Sequence, residues 1–270
     1  MKKNICVLFF SPTGSCKKIA EAIAQALKND YVTIIDITPP ELRKTCRVPL
    51  NCDCLIAVLP VYAQDLPDCV AEYLSGLKGN AAPAIIISVY GNVHSGRALY
   101  HAAKLMSNNG FKILSGVVCP ASHSYNHEGL SIASGYPDNK AIMRISHFVE
   151  ASLKKLNSDT CSYLNPCVLR KYKNILAYLP QKLLAQLTVK KPEREKALCI
   201  RCNKCISACP VSAIDTSLEI DNKKCIRCCA CVKTCKQMAR RIVFTSPLPY
   251  FYLSNRGKKK RDLRFYKAIP

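Results

Sequence analysis

The sequence predicts an α/β protein, in which a doubly wound, parallel, five-stranded sheet is followed by a small cysteine-rich α+β module. Three observations support this fold class. Apolar, β-rich runs alternate with segments of helical periodicity over residues 1–157. Several of the runs are apolar at consecutive positions, which is typical of strands buried on both faces of a sheet. Two cysteine arrays of equal spacing then occupy residues 196–245.

The elements of the first domain follow from these runs in chain order. Strands are expected at 2–10, 31–38, 52–60, 83–90 and 111–119. Helices are expected at 15–29, 68–79, 95–110 and 138–156. The first helix, for example, places Ile19, Ile23 and Leu27 on one face. Residues 38–52 show no clear helix and are interpreted as a short or irregular connection. Right-handed crossovers between parallel strands then bring the carboxyl ends of the strands to one edge.

Two basic segments flank the cysteine-rich module. Residues 158–195 mix basic residues with an apolar pattern that Pro166 and Pro180 interrupt, so we predict a linker with two short amphipathic helices. Packing against the neighbouring domains is the expected role of this linker. A helix lying on anionic lipid, as a peripheral membrane contact, is the alternative. The lysines and prolines argue against a membrane span. Residues 246–270 form a basic tail, which is expected to be solvated or to dock a partner.

The chain has 270 residues, of which 18 are cysteines. The short apolar run of residues 5–10 ends at once in a polar turn without a cleavage site, so we expect no secretory signal and a cytoplasmic location. Cysteines at this density in a reducing compartment indicate metal binding instead of disulfides.

The cysteines of the module fall into two arrays. The first has the spacing C-x2-C-x2-C-x3-C-P and the second C-x2-C-x2-C-x3-C. In this pattern the fourth cysteine of each array serves the other cluster, so we predict two 4Fe–4S clusters. The ligands of cluster one are expected to be Cys199, Cys202, Cys205 and Cys235. Those of cluster two are expected to be Cys225, Cys228, Cys231 and Cys209. Zinc is the alternative, although zinc sites usually place two ligand pairs around a longer loop.

This stretch of about fifty residues resembles bacterial two-cluster ferredoxins, including the Ala213-Ile214 that follows Pro210. The second array departs from that pattern at two positions. Lys236 replaces the usual proline after the fourth cysteine, which is expected to raise the potential of the adjacent cluster. Cys229 lies next to Cys228, and we interpret it as a buried spare thiol because its use as a ligand would break the spacing.

The turn between the first strand and the first helix has the composition of an anion-binding loop. Hydroxyl side chains, a glycine and the free N–H groups of a helix start suit a terminal phosphate. The residues concerned are Ser11, Thr13, Gly14, Ser15 and Cys16. The turn matches neither the dinucleotide nor the P-loop pattern, and it resembles the phosphate loop of flavodoxins. Cys16 replaces the usual final threonine, and a thiol at a helix start is expected to be unusually acidic.

Two further loops, 60–67 and 88–99, follow the third and fourth strands at the expected ligand-binding edge. Both resemble the flavin-binding loops of the flavodoxin superfamily. The resemblance implies an aromatic packed against the flavin ring and backbone groups that contact the ring edge. The residues that it assigns are Tyr62, Ala63, Tyr90, Gly91, Asn92 and Val93. Ordinary core packing is the alternative for the two tyrosines.

The loop after the fifth strand is long and polar. His123, Tyr125 and His127 are expected to border the flavin or a docked partner. His123 and His127 are four residues apart, and a metal site formed by them is an alternative that lacks a third ligand.

Taken over nearly the whole chain, the order of these features resembles the flavodoxin–ferredoxin fusion proteins of anaerobic bacteria and archaea. The resemblance implies a flavodoxin-like domain with FMN, a ferredoxin-like domain with two 4Fe–4S clusters, and electron transfer between them. The expected function is therefore an electron carrier. The alternative is an FMN-dependent reductase of a quinone or another small molecule. No catalytic residue is assigned, because no nucleophilic set is evident.

The charge agrees with a redox partner. The formal net charge is +22, and two clusters of charge −2 would leave about +18. We interpret this charge as docking for an acidic redox protein, with a small-molecule electron acceptor as the alternative. Nucleic-acid binding rests on the charge and the KKKR tail alone and is not expected.

Overall fold

The computed structural model describes residues 2–28, 30–45, 52–157, 161–169, 179–259 and 261–268. Its strands are β1 (Asn4–Phe9), β2 (Tyr31–Asp36), β3 (Cys54–Val61), β4 (Pro83–Tyr90), β5 (Lys112–Pro120), β6 (Glu193–Arg194), β7 (Arg240–Arg241) and β8 (Arg264–Lys267). Its helices are α1 (Ser15–Ala26), α2 (Pro40–Thr45), α3 (Asp68–Ser75), α4 (Ala98–Asn108), α5 (Asn139–Lys154), α6 (Gln181–Thr188), α7 (Lys204–Ser207), α8 (Ala230–Lys233) and α9 (Pro247–Gly257).

The main sheet has the strand order β2-β1-β3-β4-β5-β8. The first five strands are parallel, and their order is that of a flavodoxin-like doubly wound sheet. The predicted fold class and the five predicted strands are thus confirmed. The order reverses between β1 and β3, so the carboxyl ends of these two strands define the crevice where such sheets bind ligands.

The basic tail differs from the expectation of a solvated end. Residues 247–257 form α9, and residues 264–267 form β8, which pairs antiparallel with β5 from Ser115↔Lys267 to Val118↔Arg264. The sheet therefore has six strands instead of five. The tail caps an edge strand whose backbone groups would otherwise lack partners.

Two connections also differ from the sequence reading. The region interpreted as irregular begins with a short helix, α2, before residues 46–51, which lie outside the described residues. In the linker, α6 is one of the two short helices predicted. The other falls largely on residues 170–178, outside the described residues, and is preceded by a 3-10 turn at Pro166–Leu169. No helix within the described ranges is long and apolar enough to cross a membrane.

Both faces of the sheet are covered, which is why its strands are apolar at consecutive positions. Leu8, Leu55 and Ile86 face one apolar cluster, and Val7 and Ile56 face the other. Each such side chain contributes about 1.5–3 kcal/mol on burial.

The cysteine-rich module packs directly on the flavodoxin-like domain. Ile226, Cys228 and Ala230 belong to the same apolar cluster as the side chains on the first face of the sheet. A separate cluster joins Cys229 and Val189 to side chains of the long loop after β5. These apolar contacts fix the module relative to the carboxyl edge of the sheet.

Candidate functional site

A cavity of about 470 Å³ opens at the carboxyl edge of the sheet. Its volume is in the range of small-molecule sites. Nine of the eleven residues predicted to bind a flavin line it, and they are Ser11, Thr13, Ser15, Cys16, Tyr62, Ala63, Tyr90, Gly91 and Val93. Gly14 lies within the first of these loops without lining the cavity, and Asn92 also lies elsewhere. The structure therefore brings all three predicted loops to one place.

The turn before α1 presents backbone N–H groups to the cavity. Gly14 has a φ of 94°, in the left-handed region, and α1 starts after it without a side-chain cap. The Ser11 hydroxyl accepts a hydrogen bond from the Lys17 N–H at 3.0 Å, while the Ser11 N–H donates to Thr38 Oγ1 at 2.8 Å. This bonding holds the turn open around an uncapped helix start, which is a site suited to a phosphate.

Cys16 does not have the acidic thiol expected of a helix start. Its side chain is 2% exposed and packs in the apolar cluster beneath α1. Burial raises the pKa of the Cys16 thiol well above its ordinary value, and the nearby Cys119 acts in the same direction. The expectation of a lowered pKa was wrong because desolvation outweighs the helix dipole at this position.

The loop after β3 contains a strained turn. Tyr62 and Asp65 exchange two backbone hydrogen bonds, of 2.8 and 3.0 Å, and the two residues between them have positive φ. These are Ala63, with φ of 44°, and Gln64, with φ of 73°. Non-glycine residues in this region cost about 1–3 kcal/mol each and persist where the surroundings hold them. Burial raises the pKa of the Tyr62 hydroxyl well above its ordinary value, so this side chain is neutral.

Asp65 holds this turn against the loop after β4. Its carboxylate is buried and accepts hydrogen bonds from Arg97 Nε and Nη2 at 2.7 and 2.6 Å, and from His101 Nδ1 at 2.8 Å. The Leu66 N–H adds a fourth bond at 2.8 Å. Gly96, with φ of 55°, lets the two backbones touch, since a Cβ there would lie 1.8 Å from the Gln64 carbonyl. The two loops therefore move as one unit.

The loop after β4 also approaches the loop after β5 closely. A Cβ on Gly91 would lie 2.5 Å from the His123 ring, so only glycine fits. His123 Nδ1 accepts a hydrogen bond from the Tyr125 N–H at 3.1 Å, which leaves the ring proton on Nε2. Burial lowers the pKa of His123 to about 4, with the Lys233 charge acting in the same direction. At neutral pH His123 is thus an uncharged hydrogen-bond donor in the cavity wall.

Of the three residues expected to border the flavin from this loop, His123 and Tyr125 line the cavity. His127 points away and contacts the Phe244 ring at a centroid distance of 6.3 Å. In the described part of the chain, no group of three or more His, Cys, Asp or Glu side chains is arranged around a single metal ion.

Asn92 does not line the cavity, although the resemblance assigned it to the flavin. Its side chain is buried and donates from Nδ2 to the carbonyl oxygens of Gly257 and Lys259, at 2.9 and 3.1 Å. Its own carbonyl accepts from Arg261 Nε at 3.0 Å. The residue instead anchors the end of α9, which explains its burial and its φ of 59°.

The outer wall of the cavity comes from three later segments that the sequence did not assign to it. They supply Leu184, Ala185 and Thr188 of α6, Ile226 and Arg227 of the second array, and Leu248, Pro249, Tyr252 and Leu253 at α9. His94 lies beside this wall and bonds to the Tyr252 hydroxyl at 2.7 Å. The only sequence signal was the apolar character of residues 247–253 within an otherwise basic tail.

The two cysteine arrays have the same backbone path, repeated at an offset of 26 residues. Left-handed residues occur at Arg201, Asn203 and Ser212, and again at Arg227, Cys229 and Met238. A four-residue helix follows the second left-handed residue in each array, α7 in the first and α8 in the second. This repeat is the internal symmetry that the spacing implied.

The four cysteines predicted for cluster two line one small cavity. They are Cys209, Cys225, Cys228 and Cys231. Burial raises the pKa of the Cys228 thiol well above its ordinary value and raises that of Cys231 to about 12. Cys209, from the first array, thus lies with three cysteines of the second.

The cysteines predicted for cluster one lie nearer the surface. Cys202 is exposed, whereas Cys199, Cys205 and Cys235 are partly buried. Arg240 Nη2 contacts Cys205 Sγ at 3.8 Å. A hydrogen bond from the Arg201 backbone, followed by the Arg194 side chain, lowers the pKa of Cys199. Positive charge is therefore available to thiolates at this site.

The two departures from the ferredoxin pattern have different surroundings. Cys229 is 2% exposed and packs against Val93, Tyr125 and Val189 between the domains. Burial raises the pKa of its thiol. Lys236, after Cys235, is exposed to solvent.

Residues 192–215 match the family model of the 4Fe-4S binding domain. No curated protein sequence matches the chain significantly. Among solved structures, a Streptococcus pneumonia TIGR4 flavodoxin is similar over 56% of this chain and 99% of its own, with 18% identity and a TM-score of 0.43. A Fusobacterium nucleatum flavodoxin bound to flavin mononucleotide is similar over 57% of this chain and 98% of its own, with 16% identity and a TM-score of 0.41.

The strand order β2-β1-β3-β4-β5 and the match at residues 192–215 together define the organisation of the protein. In this chain a flavodoxin-like α/β domain is followed by a ferredoxin-type 4Fe-4S binding domain.

Proposed function

We propose that this protein is an electron carrier that exchanges electrons between an FMN in the interdomain cavity and two 4Fe–4S clusters held by the cysteine arrays. One observation carries the proposal. Ile226 and Arg227, within the second array, line the same cavity as Tyr62 and Tyr90 of the flavodoxin-like domain. A flavin in this cavity would therefore touch the loop that holds a cluster.

The cavity has the groups that FMN requires. The uncapped start of α1, with Ser11, Thr13 and Ser15, supplies N–H and hydroxyl donors for the phosphate. Tyr62 offers an uncharged aromatic face for the ring. His123, with its proton on Nε2, is a donor for an acceptor atom at the ring edge. Cys16 lines the cavity but has a weakly donating thiol, so the contact made by the usual threonine is expected to be weak.

The arrays have the donor chemistry of 4Fe–4S clusters. Four thiols around one cavity, from Cys209, Cys225, Cys228 and Cys231, fit the cysteine set of cluster two. The second set, Cys199, Cys202, Cys205 and Cys235, is supported by the repeated backbone path. Backbone N–H groups in left-handed turns and Arg240 beside Cys205 favour the thiolate forms that clusters need.

Bound FMN can accept two electrons and release them one at a time, while each cluster handles one electron. The protein then has two tasks. The Asp65 clamp and the strained Ala63–Gln64 turn hold the flavin loops in place. The apolar contacts of Ile226 and Cys228 hold the second array against that site.

Anaerobic purification tests the proposal. We expect a visible spectrum of flavin and clusters, about one FMN, and about eight iron and eight sulfide per chain. Tyr62→Ala is expected to weaken FMN binding without loss of iron, and Tyr31→Ala, an exposed tyrosine on β2, serves as the matched control. Zinc in place of iron, or a flavin that binds equally well to the Tyr62 variant, would contradict the proposal.

The alternative function is reduction of a quinone or another small molecule by FMN. The outer wall formed by α6, the second array and α9 favours transfer to the clusters over transfer to a substrate at the flavin. Steady-state turnover with added quinones, compared with reduction of an added ferredoxin, separates the two. Rapid, saturable quinone reduction would favour the reductase.

A further inference from the structure

The tetrapeptide Cys-Ile-Arg-Cys occurs twice in the chain, at 199–202 and 225–228. Both copies have the same backbone, with a left-handed arginine at the third position. Their surroundings are opposite. Ile226 is 7% exposed, whereas Ile200 is 66% exposed. An identical sequence with an identical local path is thus buried in one copy and solvent-facing in the other, and only its place in the fold accounts for the difference.

The buried copy is fixed against the flavodoxin-like domain. Ile226 and Arg227 line the interdomain cavity. The guanidinium of Arg227 is committed to this position, because its Nε donates to the Val189 carbonyl at 3.3 Å and its Nη1 donates to the Cys225 carbonyl at 3.2 Å. Its Nη2 also donates to the side chain of Asn222. This copy leaves no surface for an external partner.

The exposed copy lies within a basic surface. No acidic residue occurs between Lys196 and Ile214. Exposed basic residues surround the tetrapeptide on both sides, and they are Lys196, Arg201, Lys204 and, next to Cys235, Lys236. Among the described residues, none of these four forms an ion pair. Their charges are therefore free to attract an acidic partner.

Exposed apolar side chains lie among these charges. Ile200 and Leu198 flank Cys199, and Met238 follows Cys235. An apolar centre with a charged rim is the usual composition of a protein interface. Their position next to ligands predicted for cluster one means that a protein docked here would lie within a few side chains of that cluster.

We propose that the 199–202 copy, with Lys196, Arg201 and Lys204, is the docking surface for an acidic one-electron redox protein, while the 225–228 copy faces the flavin. This inference rests on the proposed function. Electrons then pass in the order FMN, cluster two, cluster one and partner, or in the reverse order. Each encounter moves one electron, so the partner's centre gains what the chain loses, and no bond or proton changes at the docking surface.

Matched charge reversals test the docking surface in the holoprotein. The double variant Arg201→Glu/Lys204→Glu changes the net charge by the same amount as Lys140→Glu/Lys154→Glu, whose lysines are exposed on α5. The probe is an acidic plant-type 2Fe–2S ferredoxin. At low salt we expect the first variant to slow association at least tenfold, and the control to slow it less than threefold. Equal slowing by both variants would show a general charge effect and overturn the assignment.

A second measurement tests which cluster is outermost without relying on electron transfer. Limited ferricyanide treatment of the holoprotein, followed by alkylation with iodoacetamide and mass spectrometry, reports which cysteines are released first. We expect Cys199 and Cys202 to be labelled before Cys225 and Cys228. Simultaneous labelling, or the reverse order, would contradict the inference. If the chain binds clusters but no FMN, the proposed function fails, whereas this labelling order still tests the outward position of the first copy.

Discussion

Asp65→Asn tests whether the carboxylate clamp shapes the flavin loops. The carboxylate accepts hydrogen bonds from both Arg97 and His101, and its side chain is 8% exposed. Removing one partner of a fully buried ion pair costs about 3–5 kcal/mol. Since the Arg97 side chain keeps 28% of its exposure to water, we expect a smaller loss of unfolding free energy, about 2–3 kcal/mol. If about 1.4 kcal/mol of this reaches the loops, FMN binds about tenfold more weakly.

The assay combines urea denaturation with fluorescence titration of FMN into flavin-free protein. Asp68→Asn is the matched control, because Asp68 is exposed at the start of α3 in the same loop region and makes no ion pair among the described residues. We expect the control to stay within about 0.5 kcal/mol of the parent. An Asp65→Asn variant with unchanged stability and FMN affinity within twofold of the parent would refute the role of the clamp.

Three further predictions concern the walls of the cavity. Because the pKa of His123 falls from 6.5 to about 4 on folding, the unfolded chain binds a proton that the folded chain does not between these pH values. Stability should therefore fall by up to about 3 kcal/mol as pH drops from about 6.5 to 4, and denaturation at several pH values should show less of this slope in His123→Asn than in the exposed control His147→Asn. The buried Cys16 thiol, with its raised pKa, should react with iodoacetamide at least tenfold more slowly than exposed Cys167, and equal rates by mass spectrometry would contradict the burial. Asn92→Ala removes two bonds to the end of α9 and should cost about 1–3 kcal/mol of unfolding free energy, with faster FMN release in stopped-flow fluorescence; an unchanged release rate would show that the tail does not retain the cofactor.

Local pattern was sufficient for much of the fold. Consecutive apolar residues predicted all five parallel strands, because a strand covered on both faces has no polar positions to interrupt the run. The three loops that converge on the cavity were also predicted, since parallel strands direct their carboxyl ends to the same edge. The ligand sets of the clusters followed from spacing alone, and their assignment to two clusters stays a prediction.

Other features depended on contacts between distant residues. Nothing near Asn92 in the sequence indicates that its amide bonds to α9, and nothing in the tail indicates that residues 264–267 extend the sheet. Cys16 was expected to be acidic from its place at a helix start, yet packing over Cys119 on β5 buries the thiol. Desolvation is set by the surrounding tertiary structure, which the helix pattern does not contain.

The repeated Cys-Ile-Arg-Cys separates the two kinds of information. The sequence by itself determined the spacing of the thiols, and with it the shared backbone of the two copies. Only the tertiary structure decided that Ile226 lies against the interdomain cavity while Ile200 faces solvent. Local chemistry is identical at the two sites, so the difference arises from which side of the module the sheet, α6 and α9 cover. Burial is a property of the whole packed chain, and identical segments acquire different roles from it.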